Sequence, residues 1–487
     1  MEVSVSPLKP AETPDATDTP ISALPRDILR GVIWSPLVLF TALVHVLCLP
    51  SVKRSLVGVV LLNIPLQWGT HLDLRIGAAE YGAIEGFDLS LTTVALCGLY
   101  VGWLFSERAN NSSPRVIWNW PLTAYTVVVM MSVFVSSDPE LSLFQIYLLL
   151  ETLLLYFYFA GNIESRGDVI FVLRMLIVGA LIESVYIVIL AVVGHPFIFI
   201  RSLGMKSVIY FPLGSGGFIR PGGTIGSPNY AAAYLAITIT LAIAVRQMDI
   251  PSSLRRLTIP TVASCAVALA ATLSRGGWLE LLISIAVLRG AGWLRGGVTR
   301  KTIFASIAAL ILVALCLYIP NPMSSRLLSD DNGSAHSRVP LMHLAFRVIS
   351  AHPLLGVGAN NFAAVMNDYA GSEFRHEWIY TVHNEFLLVC SETGLIGLGA
   401  YLWIFSSVIR RGWRLWRTGD ALFAPLGIGV VGALIGFLSH MFVDIFSDAG
   451  LLQLTWLLVA LIAVCERILR QERTRCAALP IIGVSKR

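Results

Sequence analysis

The chain has 487 residues, of which 56% are hydrophobic and 13% charged, and its net charge is +5. Soluble domains are about 25% charged, so this composition excludes an ordinary soluble enzyme, and nucleic acid is not expected as a partner. A net charge this small says little until the basic residues are located along the chain.

Residues 1–30 are rich in Pro, Thr and Asp, and no early apolar core follows a basic start. This is read as a disordered cytoplasmic tail rather than a secretory signal. Apolar runs follow at 33–49, 55–69, 88–106, 117–136, 141–160, 168–194, 228–246, 257–274, 277–294, 302–320, 382–409, 421–440 and 449–466. Runs of this length suit a hydrocarbon layer about 30 Å thick. The predicted fold is therefore all-α, a polytopic transmembrane helical bundle of about 12–13 spans filling residues 31–470. Residues 471–487 are read as a basic cytoplasmic tail.

The basic clusters are Arg108/Arg115, Arg246/Arg255/Arg256, Arg289/Arg295/Arg300/Lys301, Arg410/Arg411/Arg414/Arg417 and Arg467/Arg470/Arg473/Arg475. Basic residues collect on the cytoplasmic side, so the loops 195–227, 274–276, 321–381 and 441–448 are expected to face outward. One place conflicts with this rule. Arg26 and Arg30 precede the first run and Lys53 and Arg54 follow it, so 33–69 holds either two spans or a hairpin plus one. The long outer loop contains "SRVPLMHLAFRVISAHPLLGVGANNF". Its apolar residues Val339, Leu341, Met342, Leu344, Ala345 and Val348 predict an amphipathic helix at the interface, broken afterwards by Pro353 and glycines. The seven cysteines (Cys48, Cys97, Cys265, Cys316, Cys390, Cys465, Cys476) show no metal-ligand spacing and read as packing residues.

Three arginines lie on the outward side, against the charge rule: Arg220 in "FIRPGGTIGSPNYAAAYLAI", Arg275 in "ATLSRGGWLELL" and Arg338 in "SAHSRVPLMHLAF". Arg275 interrupts an otherwise apolar run, where a charge costs about 3 kcal/mol on insertion scales. Three guanidinium groups match the oxygens of a phosphate or diphosphate. The glycines of "RPGGTIGSPN" and "SRGGW", and the positive end of the helix beginning near Asn229, point the same way. On the same face "HNEFLLVCSETG" opens a span. His383 suits general-base work, and Asn384 and Glu385 beside it are candidate substrate contacts. Glu385 and Glu392, seven apart, share a helix stripe, whereas Glu392 points away from His383 and reads as a buried polar cap. "SDDNGS", with Asp330 and Asp331, reads as turn chemistry. His440 and Asp444 are expected at i and i+4 on one helix face. No metal site and no cofactor is expected.

The stretches "GGTIGSPNYAAAYLAI", "LSRGGWLELL", "AHPLLGVGANNF" and "HNEFLLVCSETGLIGLGAYL" resemble, in this order, the O-antigen ligase and polymerase family of bacterial membrane glycosyltransferases. The resemblance covers about 210–405, with the long outer loop 321–381 inside it. It implies transfer of an oligosaccharide from undecaprenyl diphosphate to a glycan or lipid A–core acceptor, by inversion and without a metal, at the outer face of the bacterial inner membrane. It carries the family's essential histidine onto His383 and its arginines onto Arg275 and Arg338, while Arg220 fits the pattern more loosely. Two rivals stand beside this reading. A protein O-oligosaccharyltransferase shares the motifs, but residues 467–487 hold no large soluble domain. A transporter or flippase of lipid-linked sugars would place charges near the midplane on helices related by repeats, whereas here they gather at one face and no repeat is evident.

Overall fold

The computed structural model describes residues 39–72, 75, 77–78, 81–109, 116–202, 205–210, 219–296, 338–371 and 380–478. The tail 1–30, the run 302–320, and Asp330 and Asp331 therefore lie outside the described residues. In chain order the elements are α1 (Leu39–Cys48), α2 (Pro50–Leu66), β1 (Gly69–Leu72), β2 (Phe87–Ser90), α3 (Leu91–Ala109), α4 (Trp120–Ser132), α5 (Pro139–Asn162), α6 (Arg166–Val193) and α7 (Ile198–Ser202). Then come β3 (Val208–Tyr210), β4 (Arg220–Gly223), α8 (Pro228–Arg246), α9 (Ser252–Ala271), α10 (Arg275–Gly296), α11 (Arg338–Ala351) and α12 (Phe362–Tyr369). Last are α13 (Glu385–Arg417), α14 (Phe423–His440) and α15 (Ala449–Ala478), so α15 runs well into the stretch expected to be a tail.

Eight of these helices, α5, α6, α8, α9, α10, α13, α14 and α15, are long and apolar enough to cross a membrane, and α3 and α4 are shorter apolar helices. The chain is a multi-pass membrane protein. Helices α1 and α2 meet at a bend of 78°, so the ambiguous stretch 33–69 contains one broken pair, with Pro50 starting its second half. Several helix starts are set by a polar cap followed by proline. Asn119, Asp138 and Ser227 accept the backbone N–H of Leu122, Leu141 and Asn229 respectively. Ser165 and Asp168 form a reciprocal capping box, and Gly194 closes the same helix in the left-handed conformation.

Inside a membrane, helices associate through close packing rather than through exclusion from water. Helices α8, α14 and α15 are the most enclosed, while α9 and α10 are peripheral. The glycines of α14 make this possible: a side chain at Gly429 would collide with Ala244, and one at Gly436 with Ser284 and Glu280. At the expected cytoplasmic end, Arg166 grips Asp420 at 2.7 Å and Glu472 at 2.8 Å, and Arg411 grips Glu466 at 2.9 Å.

The other end of the bundle is built by loops. Two antiparallel ribbons, β1–β2 and β3–β4, lie there, and Asn360 and Thr381 reach the turn between β1 and β2. The expected amphipathic helix is α11, but its apolar face packs on protein rather than on the lipid interface. Leu341, Leu344, Ala345 and Val348 form a cluster with Phe362, Val365 and Met366 of α12, with Val382 and Ile445, and with Leu388 of α13, and Val339 and Met342 are the exposed members of the set.

Between α11 and α12 the segment "HPLLGVGANN" enters a break in α13. Gly394 sits at φ 68°, ψ −174°, a non-helical conformation in mid-helix. The break frees backbone groups, and the entering segment binds them. Val357 and Gly358 donate to the carbonyls of Ser391 and Glu392 at 3.0 and 2.9 Å, and Leu395 donates to Pro353 at 2.8 Å. The Glu392 carboxylate accepts the N–H of Phe362 at 3.2 Å, the capping role expected from its position. Asn360 and Asn361 secure the far side of the segment. Asn360 accepts from Ile84 at 2.7 Å and donates to the carbonyls of Ile84 and Leu141, both at 2.9 Å. Asn361 accepts from Asp138 at 2.7 Å and donates to Ser142 at 2.9 Å. One loop thus ties α13, α12, α5 and the β1–β2 ribbon together.

Candidate active site

Helix α13 begins at this loop-built end, and His383 stands just before it. Asn384 is its cap: its side chain accepts the N–H of Leu387 at 3.0 Å and donates to the carbonyl of Phe442 at 3.0 Å. Glu385 is buried, and its carboxylate accepts the N–H of Phe446 at 2.9 Å. Its own N–H donates to the carbonyls of Met441 and Asp444. Both side chains expected to touch substrate are therefore engaged with the 441–448 loop, and they hold it against the base of His383.

The His383 ring is half-buried and packs on the Tyr380 ring, with centroids 5.3 Å apart. Its Nδ1 is enclosed and has no hydrogen-bond partner among the described residues. Burial pushes the imidazole below its ordinary pKa and the nearby Arg338 cation pushes the same way, while the Asp444 carboxylate opposes them. A hydrogen bond with the Thr381 backbone also favours the protonated ring, and the balance of the four holds the pKa below its ordinary value, which favours a neutral imidazole. A neutral ring can accept a proton.

Arg338 opens α11 and is half-buried. Arg275 opens α10, also half-buried. The residue after it, Gly276, lies against the His440 ring, so that any side chain there would overlap the imidazole. His440 packs on Phe446 at 4.9 Å, which joins the start of α10 to the loop that holds Glu385. Arg220, in β4, donates from Nε to the carbonyl of Thr272 at 2.8 Å and from Nη2 to Asn229 Oδ1 at 2.7 Å. It fastens the ribbon to the end of α9 and the start of α8, the helix expected near Asn229.

One expectation fails. His440 and Asp444 do not share a helix face, because α14 ends at His440 and the chain turns there, with Val443 N–H donating to the His440 carbonyl at 3.0 Å. His440 turns inward and its Nδ1 meets Glu280 at 2.8 Å, both side chains almost wholly enclosed. The Asp444 carboxylate instead accepts the N–H of Ile445 at 3.0 Å, near enough to His383 to act on its charge. Sequence reasoning did not single out Glu280, Tyr380 or the Asn360–Asn361 pair. Glu280 had the clearest signal, a carboxylate in the apolar run "GGWLELL". Replacing Glu280 alone by leucine is expected to lower stability by about 1–3 kcal/mol, because an enclosed imidazole loses its partner. Adding His440→Leu should recover part of that loss, as read from the thermal unfolding midpoint of the solubilised protein.

Residues 260–402 match the family described as O-Antigen ligase. The match runs from α9 through the break in α13 and contains Arg275, Arg338 and His383. No curated protein matches the chain.

Proposed function

We propose that this chain, whose residues 260–402 belong to the O-antigen ligase family, transfers a glycan from an undecaprenyl-diphosphate carrier to a sugar hydroxyl. The reaction takes place at the outer face of the bacterial inner membrane, in ligation or polymerisation of a cell-surface polysaccharide. The reading is supported by the charge of Arg338 acting on the half-buried His383 imidazole, and by Arg275 opening α10 where the next residue, Gly276, lies against His440.

The chemistry follows from that arrangement. When the glycosidic bond to the diphosphate breaks, negative charge grows on the leaving phosphate. Arg275 and Arg338 stabilise that growing charge more than the intact diester, which is what lowers a barrier. His383 takes the proton of the attacking hydroxyl, or orients it, and the hydroxyl displaces the diphosphate from the opposite side, giving inversion. The positive charge for the leaving group comes from arginines, so the scheme calls on no metal. Asn384 and Glu385 act by fixing the loop beside His383, and Arg220 by fixing the ribbon beside Arg275. Basic clusters at the opposite end of the bundle orient this end outward by the charge rule.

Removing one such charge donor is expected to cost about 10²–10³-fold in rate. Arg275→Lys and Arg338→Lys should recover little of it, because an ammonium cannot reproduce the planar two-pronged grip. The check is initial rate of transfer by the purified variants. The reaction itself is tested by incubating the protein with undecaprenyl-diphosphate oligosaccharide, with and without lipid A–core. A ladder of lengths identifies a polymerase and a single core-linked product a ligase; neither product would refute the proposal and favour transport of the lipid-linked sugar.

A further inference from the structure

A polar groove beside His383 is left unused by the scheme above. Two clefts of about 510 and 230 Å³ at the loop-built end share Gln67, Asp88 and Lys206. The larger is within the size range of small-molecule sites. The smaller continues along Tyr230, Tyr380 and Asp448, and Tyr380 is the residue whose ring packs on His383. The groove therefore runs from the β3 side of the molecule to the tyrosine that packs on the proposed base.

Its lining is already organised. Gln67 Nε2 donates to Asp448 Oδ1 at 2.5 Å, and Lys206 Nζ donates to Gln67 Oε1 at 3.1 Å and lies 3.9 Å from Asp448 Oδ2. Asp448 is enclosed and also accepts the N–H groups of Gly450 and Leu451 at the start of α15. Gln67 is held in the left-handed conformation that ends α2. Carboxylate, amide and ammonium thus alternate within one wall, offering acceptors and donors at neighbouring points. The tyrosines supply flat apolar faces with a polar edge.

The wall shared by the clefts suits a phosphate poorly: its one lysine lies 3.9 Å from Asp448 and a second carboxylate, Asp88, lines both clefts, while the larger cleft alone adds a further cation, Arg201. It does suit a pyranose, whose vicinal hydroxyls need alternating donors and acceptors and whose C–H faces need an apolar plane. We infer that the groove lined by Gln67, Asp88, Lys206, Tyr230, Tyr380 and Asp448 is a glycan subsite, which holds sugar residues in line with His383. The inference rests on the proposed glycan transfer and adds where the sugars lie. The sugars come either from the lipid-linked donor or from the acceptor; the chemistry of recognition is the same for both.

The test uses the full-length protein in lipid nanodiscs with Asp88→Asn and Lys206→Gln, which spare the cap on α15. With undecaprenyl-diphosphate oligosaccharide and acceptor varied in turn, each variant should raise one KM by about tenfold or more, the size expected for losing a hydrogen bond to a charged group. The effect should fall on KM more than on kcat. A rise in donor KM places donor sugars in the groove, and a rise in acceptor KM places acceptor sugars there. Affinity for bare undecaprenyl diphosphate, which carries no sugar, should be unchanged. Both KM values within twofold of wild type would overturn the inference, as would a matching loss of affinity for the bare carrier. If wild type transfers nothing, binding of the oligosaccharide released from the carrier by mild acid decides the matter. A saturation-transfer NMR signal on the sugar protons that wild type gives and both variants abolish would support the groove although transfer had failed. The same signal persisting in both variants, or absent from wild type, would refute it.

Discussion

His383→Ala is expected to lower transfer by about 10²–10⁴-fold, the range for removing a positioned general base, while membrane insertion and thermal unfolding stay close to wild type. The side chain is half-buried and its Nδ1 makes no hydrogen bond among the described residues, so its loss removes chemistry and little structure. The pH dependence gives a second readout. An ordinary histidine titrates near pH 6.5, and here burial, assisted by Arg338, disfavours the imidazolium. The sign follows directly: a depressed pKa means more acid is needed to protonate the ring, so the competent neutral form persists below the ordinary range. The acid limb of kcat/KM should therefore fall below pH 6.5. Asp444→Asn removes a carboxylate that favours the imidazolium and should move that limb lower still. A limb at or above the ordinary value, or one unmoved in Asp444→Asn, would separate His383 from the rate.

The second large effect is expected far from any reacting atom, at Gly394. Its φ of 68° with ψ of −174° belongs to a region that only glycine enters at low cost, and other residues there carry about 1–3 kcal/mol of strain. A side chain would also be driven into the backbone of Leu354 and Leu355, and overpacking of this kind costs about 1–3 kcal/mol more. Gly394→Ala is therefore expected to destabilise the protein by about 2–6 kcal/mol and to release the "HPLLGVGANN" segment from α13. Because that segment carries α11, Arg338 would shift relative to His383, so transfer should fall together with the unfolding midpoint. Gly399, with open space around its Cβ position, is the control, and its alanine variant should leave both unchanged. Full activity in Gly394→Ala would show that the docked segment does not position the site.

The contrast between these two residues shows how much of the molecule was legible in the sequence. Spans were legible because each is a local property, a run of apolar side chains long enough for a bilayer. Arg275 stood out because a charge in such a run needs a reason, and Arg220 and Arg338 because they fall in loops where the charge rule does not expect basic residues. Residues 260–402 carry the family match, and the quoted motifs "SRGG", "HPLLGVGANNF" and "HNE" lie within them. What could not be read is whatever depends on pairing distant positions. Glu280 and His440 are 160 residues apart, and Gln67 and Asp448 are 381 apart. Neither pair leaves a spacing signature. The i, i+4 expectation for His440 and Asp444 failed because it assumed that α14 continues, whereas the chain turns at Met441 and sends the two side chains to different partners. The stripe on α11 was read as one apolar face, but periodicity alone cannot say whether such a face meets lipid or protein, and here Leu341, Leu344, Ala345 and Val348 meet α12 and α13 while Val339 and Met342 stay exposed.

The central claim is that the outward arginines and His383 cleave a glycan from a diphosphate carrier rather than move the intact carrier. Its most direct test is to quantify, with purified protein in nanodiscs, the free undecaprenyl diphosphate released and the glycan joined to acceptor in one reaction. Wild type is expected to give equal amounts of the two, and His383→Ala neither. Glycan joined to acceptor at the wild-type rate in His383→Ala, or a carrier that remains fully glycosylated while wild type is active on it, would contradict the claim.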